Sequence, residues 1–271
     1  MFSRNYYYLV AGLPDLLLDH KKLPAAVAEF RDELEHQLHP DDLRLVKLLF
    51  LPADNTNLLN LLEKNQKPFD ETGNFTQHEL EQEIKEPSGS PEYMQRFIHA
   101  FKEDSPVFTG YFWENQLTWL YYDYILGLDN DFLKEWFTFN LHLKNILTAF
   151  NVRKYKLPRE NAYIGGNDIT EALKKSTLKD FGLSADFPHM EALLSIDETE
   201  SLLEKEKSAE MLRWDFLDEL NTFNYFTIEV LLAFIIKLFM VERWLQLDPE
   251  TGKQLFLKLI TDLEKSYAHS K

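Results

Sequence analysis

A chain of 271 residues and 32.1 kDa, with 45% apolar side chains, 21 Phe and 12 Tyr, carries too much hydrophobic surface to stay disordered and is long enough to bury an ordered core. Its 45 Asp and Glu against 29 Lys and Arg give a formal charge of −16, so nucleic-acid phosphates and anionic lipid headgroups are both excluded as natural partners. The absence of Cys excludes disulfides, thiolate zinc sites and cysteine nucleophiles, and fits a cytosolic setting.

In chain order, the stretch Met1 to Leu18 has one basic residue, a polar Tyr6-Tyr7-Tyr8 start and a break at Pro14-Asp15, which is not the build of a signal peptide. Gly (9) and Pro (11) are few, and Pro24, Pro40, Pro87, Pro91, Pro158 and Pro249 punctuate periodic segments instead of interrupting them. Alternating β-branched runs are nearly absent, so the fold class is all-α. A helical block from Pro24 to about Glu63 breaks at His39-Pro40-Asp41-Asp42, after which Leu43, Val46, Leu49 and Phe50 form an apolar stripe. Asp54-Asn55-Thr56-Asn57, behind Pro52, opens another helix. Thr76 with Glu79 predicts a capping box, which also accounts for the sequon-like Asn74-Phe75-Thr76.

Pro87-Ser88-Gly89-Ser90-Pro91 reads as a flexible break between two sub-bundles. The aromatics crowded between Thr109 and Phe150 read as helical core. Glu198 to Lys207, of mixed charge, predicts an exposed helix. Tyr225 to Val241 is almost wholly apolar, but it is too short to span a bilayer and contains Glu229 and Lys237, which predicts a buried helix.

A repeat is visible at long range. Asp32, Asp123 and Asp215 each head a D-x-[LIF] tripeptide, read as the start of a turn, at offsets of 91 and 92 residues. Polar anchors follow in similar phase: Asp54 and Asn57 in DNTNLL, Asn145 in HLKNIL, and Glu242 in MVERWL. Gly73 in TGNFTQHEL and Gly166 in GGNDITEAL lie 93 residues apart before helix starts, with Gly252 as the third copy. These offsets predict three helical units, at 1–90, 91–180 and 181–271, within a single domain. The anchors are expected to satisfy helix-terminal amides or to pair with Arg.

No catalytic signature stands out. Glu33 and His36 form one Glu-x-x-His pair, whereas a di-metal bundle needs two such pairs and two further Glu. Neither GxGxxG, GxxxxGK[ST] nor GxSxG occurs. The expectation is a non-enzyme with no catalytic residue, cofactor or metal.

Several segments resemble the C (or d) subunit family of V-type and A-type rotary ATPases. They are the Tyr-rich NYYYLVAGL at Asn5 to Leu13, LLFLPADNTNLLNLL at Leu48 to Leu62, WLYYDYILGLDNDFLKEWFTFNLHLKNILTAF at Trp119 to Phe150, and FTIEVLLAFIIKLFMVERWLQL at Phe226 to Leu247. The chain departs from the family in placing His142 where Asp is preferred, which suggests a divergent bacterial branch. The resemblance implies a funnel-like helical rotor connector without catalysis, coupling the central-stalk subunits to the membrane rotor (proteolipid) ring for proton or sodium transport. It implies a cytoplasmic location, peripheral at the inner face of the membrane through the ATPase complex, with no direct membrane insertion. Two other classes fit the composition: a free-standing helical scaffold or adaptor, and a helical metalloenzyme built on Glu33 and His36.

Overall fold

The computed structural model describes residues 4–24 and 26–247. Among the described residues there are twelve helices and no strand, so the protein is all-α as its composition predicts. The chain divides into two compact units. One joins the chain up to Leu43 to the chain from Asn221 onward, and the other runs from Arg44 to Leu220.

The first unit contains α1 (Tyr7–Ala11), α2 (Val27–Gln37) and α12 (Ile228–Leu247). α12 packs on α2, where the Phe30 and Phe234 rings meet edge to face with centroids 5.0 Å apart. Leu34 on α2 and Leu231, Leu232, Leu238 and Val241 on α12 are fully buried. The apolar run expected as a buried helix over Tyr225 to Val241 is one only from Ile228, Tyr225 and Phe226 lying outside α12 and exposed, and no helix among the described residues is long and apolar enough to cross a membrane. The first turn of α3 (Pro40–Leu48) belongs to the same unit. Pro40 fits that turn because its missing N–H is not needed there, and Asp41 and Asp42 suit its positive end. Arg4 reaches both carboxylates, at 3.2 Å and 3.4 Å, and the Tyr6 hydroxyl donates to Asp42. Burial, with the bond to Asp42 next, pushes the Tyr6 phenol up to about 12.

The second unit contains α4 (Leu51–Leu62), α5 (Gln77–Lys85), α6 (Glu92–Lys102), α7 (Trp113–Leu126), α8 (Asp131–Lys154), α9 (Asp168–Lys175), α10 (Met190–Glu198) and α11 (Leu202–Leu220). α8, about 36 Å long by its residue count, is the axis on which α7, α9, α10 and α11 pack. α6 lies on α7, and α4 touches α5 and α7. Most aromatics expected to be core supply the contacts: Phe139 stacks on Phe216 with centroids 3.9 Å apart and planes 14° from parallel, and Phe108 stacks on Trp119 at the same distance, whereas Phe112, just before α7, is exposed.

Local chemistry sets the helix limits. Thr76 and Glu79 form the expected capping box at α5, and Asn167 with Thr170 forms another at α9. Asn130 caps α8, whose first turn carries Asp131 and whose last turn carries Arg153 and Lys154, as the helix dipole favours. α4, α6 and α8 end alike, with Lys64, Asp104 and Lys156 in the left-handed region at φ 57°, 47° and 53°. The next residues close the Schellman bond: Asn65 N–H to Asn60 O, Ser105 N–H to Ala100 O, and Leu157 N–H to Val152 O, each 2.9 Å. These ends use no glycine, which is why so Gly-poor a chain can still stop its helices.

Candidate functional site

The 44–220 unit is distinguished by polar side chains buried on its helices and turned toward its loops. Asn57 on α4 donates its Nδ2 to the Asp70 carbonyl at 2.8 Å, and its Oδ1 accepts from the Asp70 N–H at 2.9 Å. Asn145 on α8 makes the same pair of bonds to Ile164, at 2.7 Å and 2.9 Å. In both cases one amide satisfies a loop residue's donor and acceptor together. One turn before Asn57, the fully buried Asp54 accepts from the Asn74 N–H, the Phe75 N–H and Asn74 Nδ2. A Cβ on Gly73 would overlap that carboxylate, so Gly is needed there for close approach.

Two further clamps have the same logic. Glu83 on α5 accepts from the N–H groups of Ser88, Gly89 and Ser90 and from the Ser90 hydroxyl. Burial alone would raise this carboxyl, but the four donors outweigh it and leave it below its ordinary value. The segment from Pro87 to Pro91 is therefore a loop wrapped around a carboxylate inside one unit, not the flexible break between sub-bundles expected from its composition. Gln116 on α7 spans its own approach loop, accepting from Phe108 N–H at 3.1 Å and donating to the Tyr111 carbonyl at 2.9 Å.

α4, α7 and α8 also enclose a cleft of about 650 Å³. Tyr121, Tyr122, Trp136 and Phe137 form its apolar wall, and Asn55, Asn140 and Lys144 are among its polar groups. The Tyr121 hydroxyl donates to the Leu48 carbonyl at 3.0 Å, and Tyr93 donates to Asn55 Oδ1 at 2.7 Å. Burial holds both phenols well above their ordinary value and pushes Tyr122 up to about 12, so at neutral pH they are neutral groups and not bases. Asn140 accepts from Arg213 Nε at 3.1 Å, and Arg213 pairs with the buried Glu210 at 2.9 Å, which ties the cleft wall to α11. Desolvation lowers Lys144 from its ordinary value against the opposing pull of Glu114.

The repeat anchors fall into three groups. Asp54 and Asn57 act together on one loop, and Asn145 acts on another. Asp32, Asp123 and Asp215 are exposed and lie within α2, α7 and α11, so the expected turns at these positions do not occur. Their period-matched apolar neighbours belong to continuing helices, and Asp123 sits in the last turn of α7. Glu242 is half-buried on α12. Gly166 precedes the α9 capping box as expected, and Gly252 lies outside the described residues. Glu33 and His36 are exposed on α2. His36 Nδ1 meets the Asp32 carbonyl at 2.7 Å and Glu33 accepts from Gln37. Among the described residues no group of three or more His, Asp or Glu is placed to hold a metal ion.

Sequence reasoning missed Glu83, Gln116 and the Glu210–Arg213–Asn140 chain. Glu83 had a legible cue, an acid just upstream of a Ser-Gly-Ser loop whose N–H groups need an acceptor. The Gln116 clamp and the link from Asn140 to Arg213, 73 residues away, leave no local pattern.

These features define a class: an all-helical protein whose buried polar groups hold loops against helices. The chain belongs to the family described as "Protein of unknown function (DUF2764)", which matches residues 3–267. Neither a curated protein nor a solved structure matches it.

Proposed function

We propose that the protein is a non-catalytic central-rotor connector of a V-type or A-type ATPase, linking the central stalk to the membrane ring. The observation that carries this reading is mechanical. Five buried side chains, Asp54, Asn57, Glu83, Gln116 and Asn145, fasten loops of the 44–220 unit to its helices, around an aromatic core packed at contact distance. A body that passes torque must not yield at its loops, and such fastening is what removes that compliance. The resemblance of four long segments to the C (or d) family points the same way, and the abundance of acid suits basic neighbours better than lipid or nucleic acid.

The reading includes threefold internal pseudo-symmetry, a funnel-like body, and peripheral attachment at the inner face of the membrane through the complex. Support for the repeat comes from the matched amide clamps of Asn57 and Asn145, 88 residues apart. The third copy, around Glu242 and Gly252, runs into residues outside those described. An experimental structure in which the segments around Asn57, Asn145 and Glu242 fail to superpose would remove the repeat.

Affinity purification from native membranes tests the assignment. Stoichiometric recovery of the rotary-ATPase head, stalk and ring subunits is expected. Recovery of the chain with an unrelated assembly would favour the adaptor reading, and stoichiometric metal in the purified chain would favour the metalloenzyme.

A further inference from the structure

In the unit formed by the two ends of the chain, two short segments present an aromatic patch to solvent. The Tyr6 N–H donates to the Phe226 carbonyl at 2.6 Å, and the Tyr7 and Phe226 rings meet with centroids 4.7 Å apart, so the segment 5–13 is fastened at Tyr6 and Tyr7 to the segment 221–228 at Phe226. Tyr8 (80% exposed), Phe223 (86%) and Tyr225 (68%) project from these segments, with Tyr7 and Phe226 between them partly exposed as well. Single exposed rings are ordinary on a protein surface, whereas a cluster on two segments fastened side by side is the composition of a contact surface.

We infer that this aromatic patch is a docking surface for a protein partner with an apolar centre and a rim of Arg and Lys, which under the proposed function is the membrane rotor ring. The argument is one of charge. Neither segment holds a charged residue, while residues 4–43 around α1 and α2 carry eight Asp and Glu against four Lys and Arg. Open aromatic faces within acidic surroundings attract cationic side chains. This chain pairs the same groups internally, with the Arg153 guanidinium 3.9 Å over the Phe181 ring. A second copy at −16 and an anionic bilayer both meet net repulsion instead.

The inference rests on the rotor reading, and one experiment separates the two. The full-length protein and the triple variant Tyr8→Ser, Phe223→Ser, Tyr225→Ser are sedimented with phosphatidylcholine vesicles holding purified rotor ring, with bare phosphatidylcholine vesicles, and with bare phosphatidylglycerol vesicles. Native protein should pellet only with the ring vesicles. The variant should bind them about tenfold or more weakly and lose chiefly the part of binding that persists at high salt. The replaced side chains are largely exposed, so an unchanged thermal midpoint is expected; if it falls, Phe223→Ser alone serves in its place. Equal ring binding by native and variant protein overturns the docking surface and leaves the rotor reading intact. No binding of native protein to ring vesicles overturns both. Patch-dependent binding to either bare vesicle assigns the patch to lipid, and patch-dependent dimerisation in sedimentation velocity assigns it to a second copy; either result overturns the inference.

Discussion

At the scale of single residues, the amide clamps and the left-handed helix ends make opposite predictions. Asn145→Ala would leave the Ile164 N–H and carbonyl buried without partners, at a cost of about 3 kcal/mol in urea unfolding, whereas Asn57→Ala should cost about 1 kcal/mol, because Asp70 is exposed and water can replace the lost bonds. Lys156→Gly relieves a left-handed residue at an exposed helix end and should stabilise by about 0.5 kcal/mol, because most of the relieved strain is offset by the added freedom of the unfolded chain. Glu83 gives a pH dependence of definite sign. Its folded carboxyl lies below its ordinary value of 4.5, so its contribution is complete above that pH and disappears as the pH falls through the lower folded value. Thermal midpoints of native protein and Glu83→Gln should therefore differ at pH 7 and converge in acid. A constant difference across that range would show that charge on Glu83 is not what holds Ser88 to Ser90.

At the scale of elements, α8 should be the most sensitive. Phe139→Ala removes a ring stacked on Phe216 in α11 and packed near Phe187, and should cost about 4 kcal/mol. Many helices are legible in the sequence, because their limits are local: Pro40, the Thr76–Glu79 box, the apolar period of α3 and the apolar run of α12 all act within a few residues, whereas the charged stretch Glu198 to Lys207, expected as one exposed helix, is split between the end of α10 and the start of α11. The loops are not legible. Pro87 to Pro91 has the composition of a flexible linker, and only the placement of Glu83 turns its N–H groups inward. Asn57 and Asn145 were singled out by spacing alone, without the clamp that gives the spacing its meaning. Asp32 and Asp215 were singled out by the same spacing, but each lies on an exposed helical surface.

At the scale of the molecule, the chain's two ends build one unit and its middle builds the other, a division no local pattern announces because the two pieces of the first unit are separated in sequence by the whole of 44–220. A fragment spanning 40–220 retains α3 and all the clamps and should unfold cooperatively by circular dichroism, whereas a non-cooperative transition would mean that the middle depends on the ends. The connector reading itself is tested most directly by coupling. Inverted membrane vesicles depleted of this chain should keep ATP hydrolysis in the released head but lose ATP-driven ion uptake, and adding the purified protein back should restore uptake. Ion uptake that proceeds undiminished without the chain would contradict its role as the link between stalk and ring.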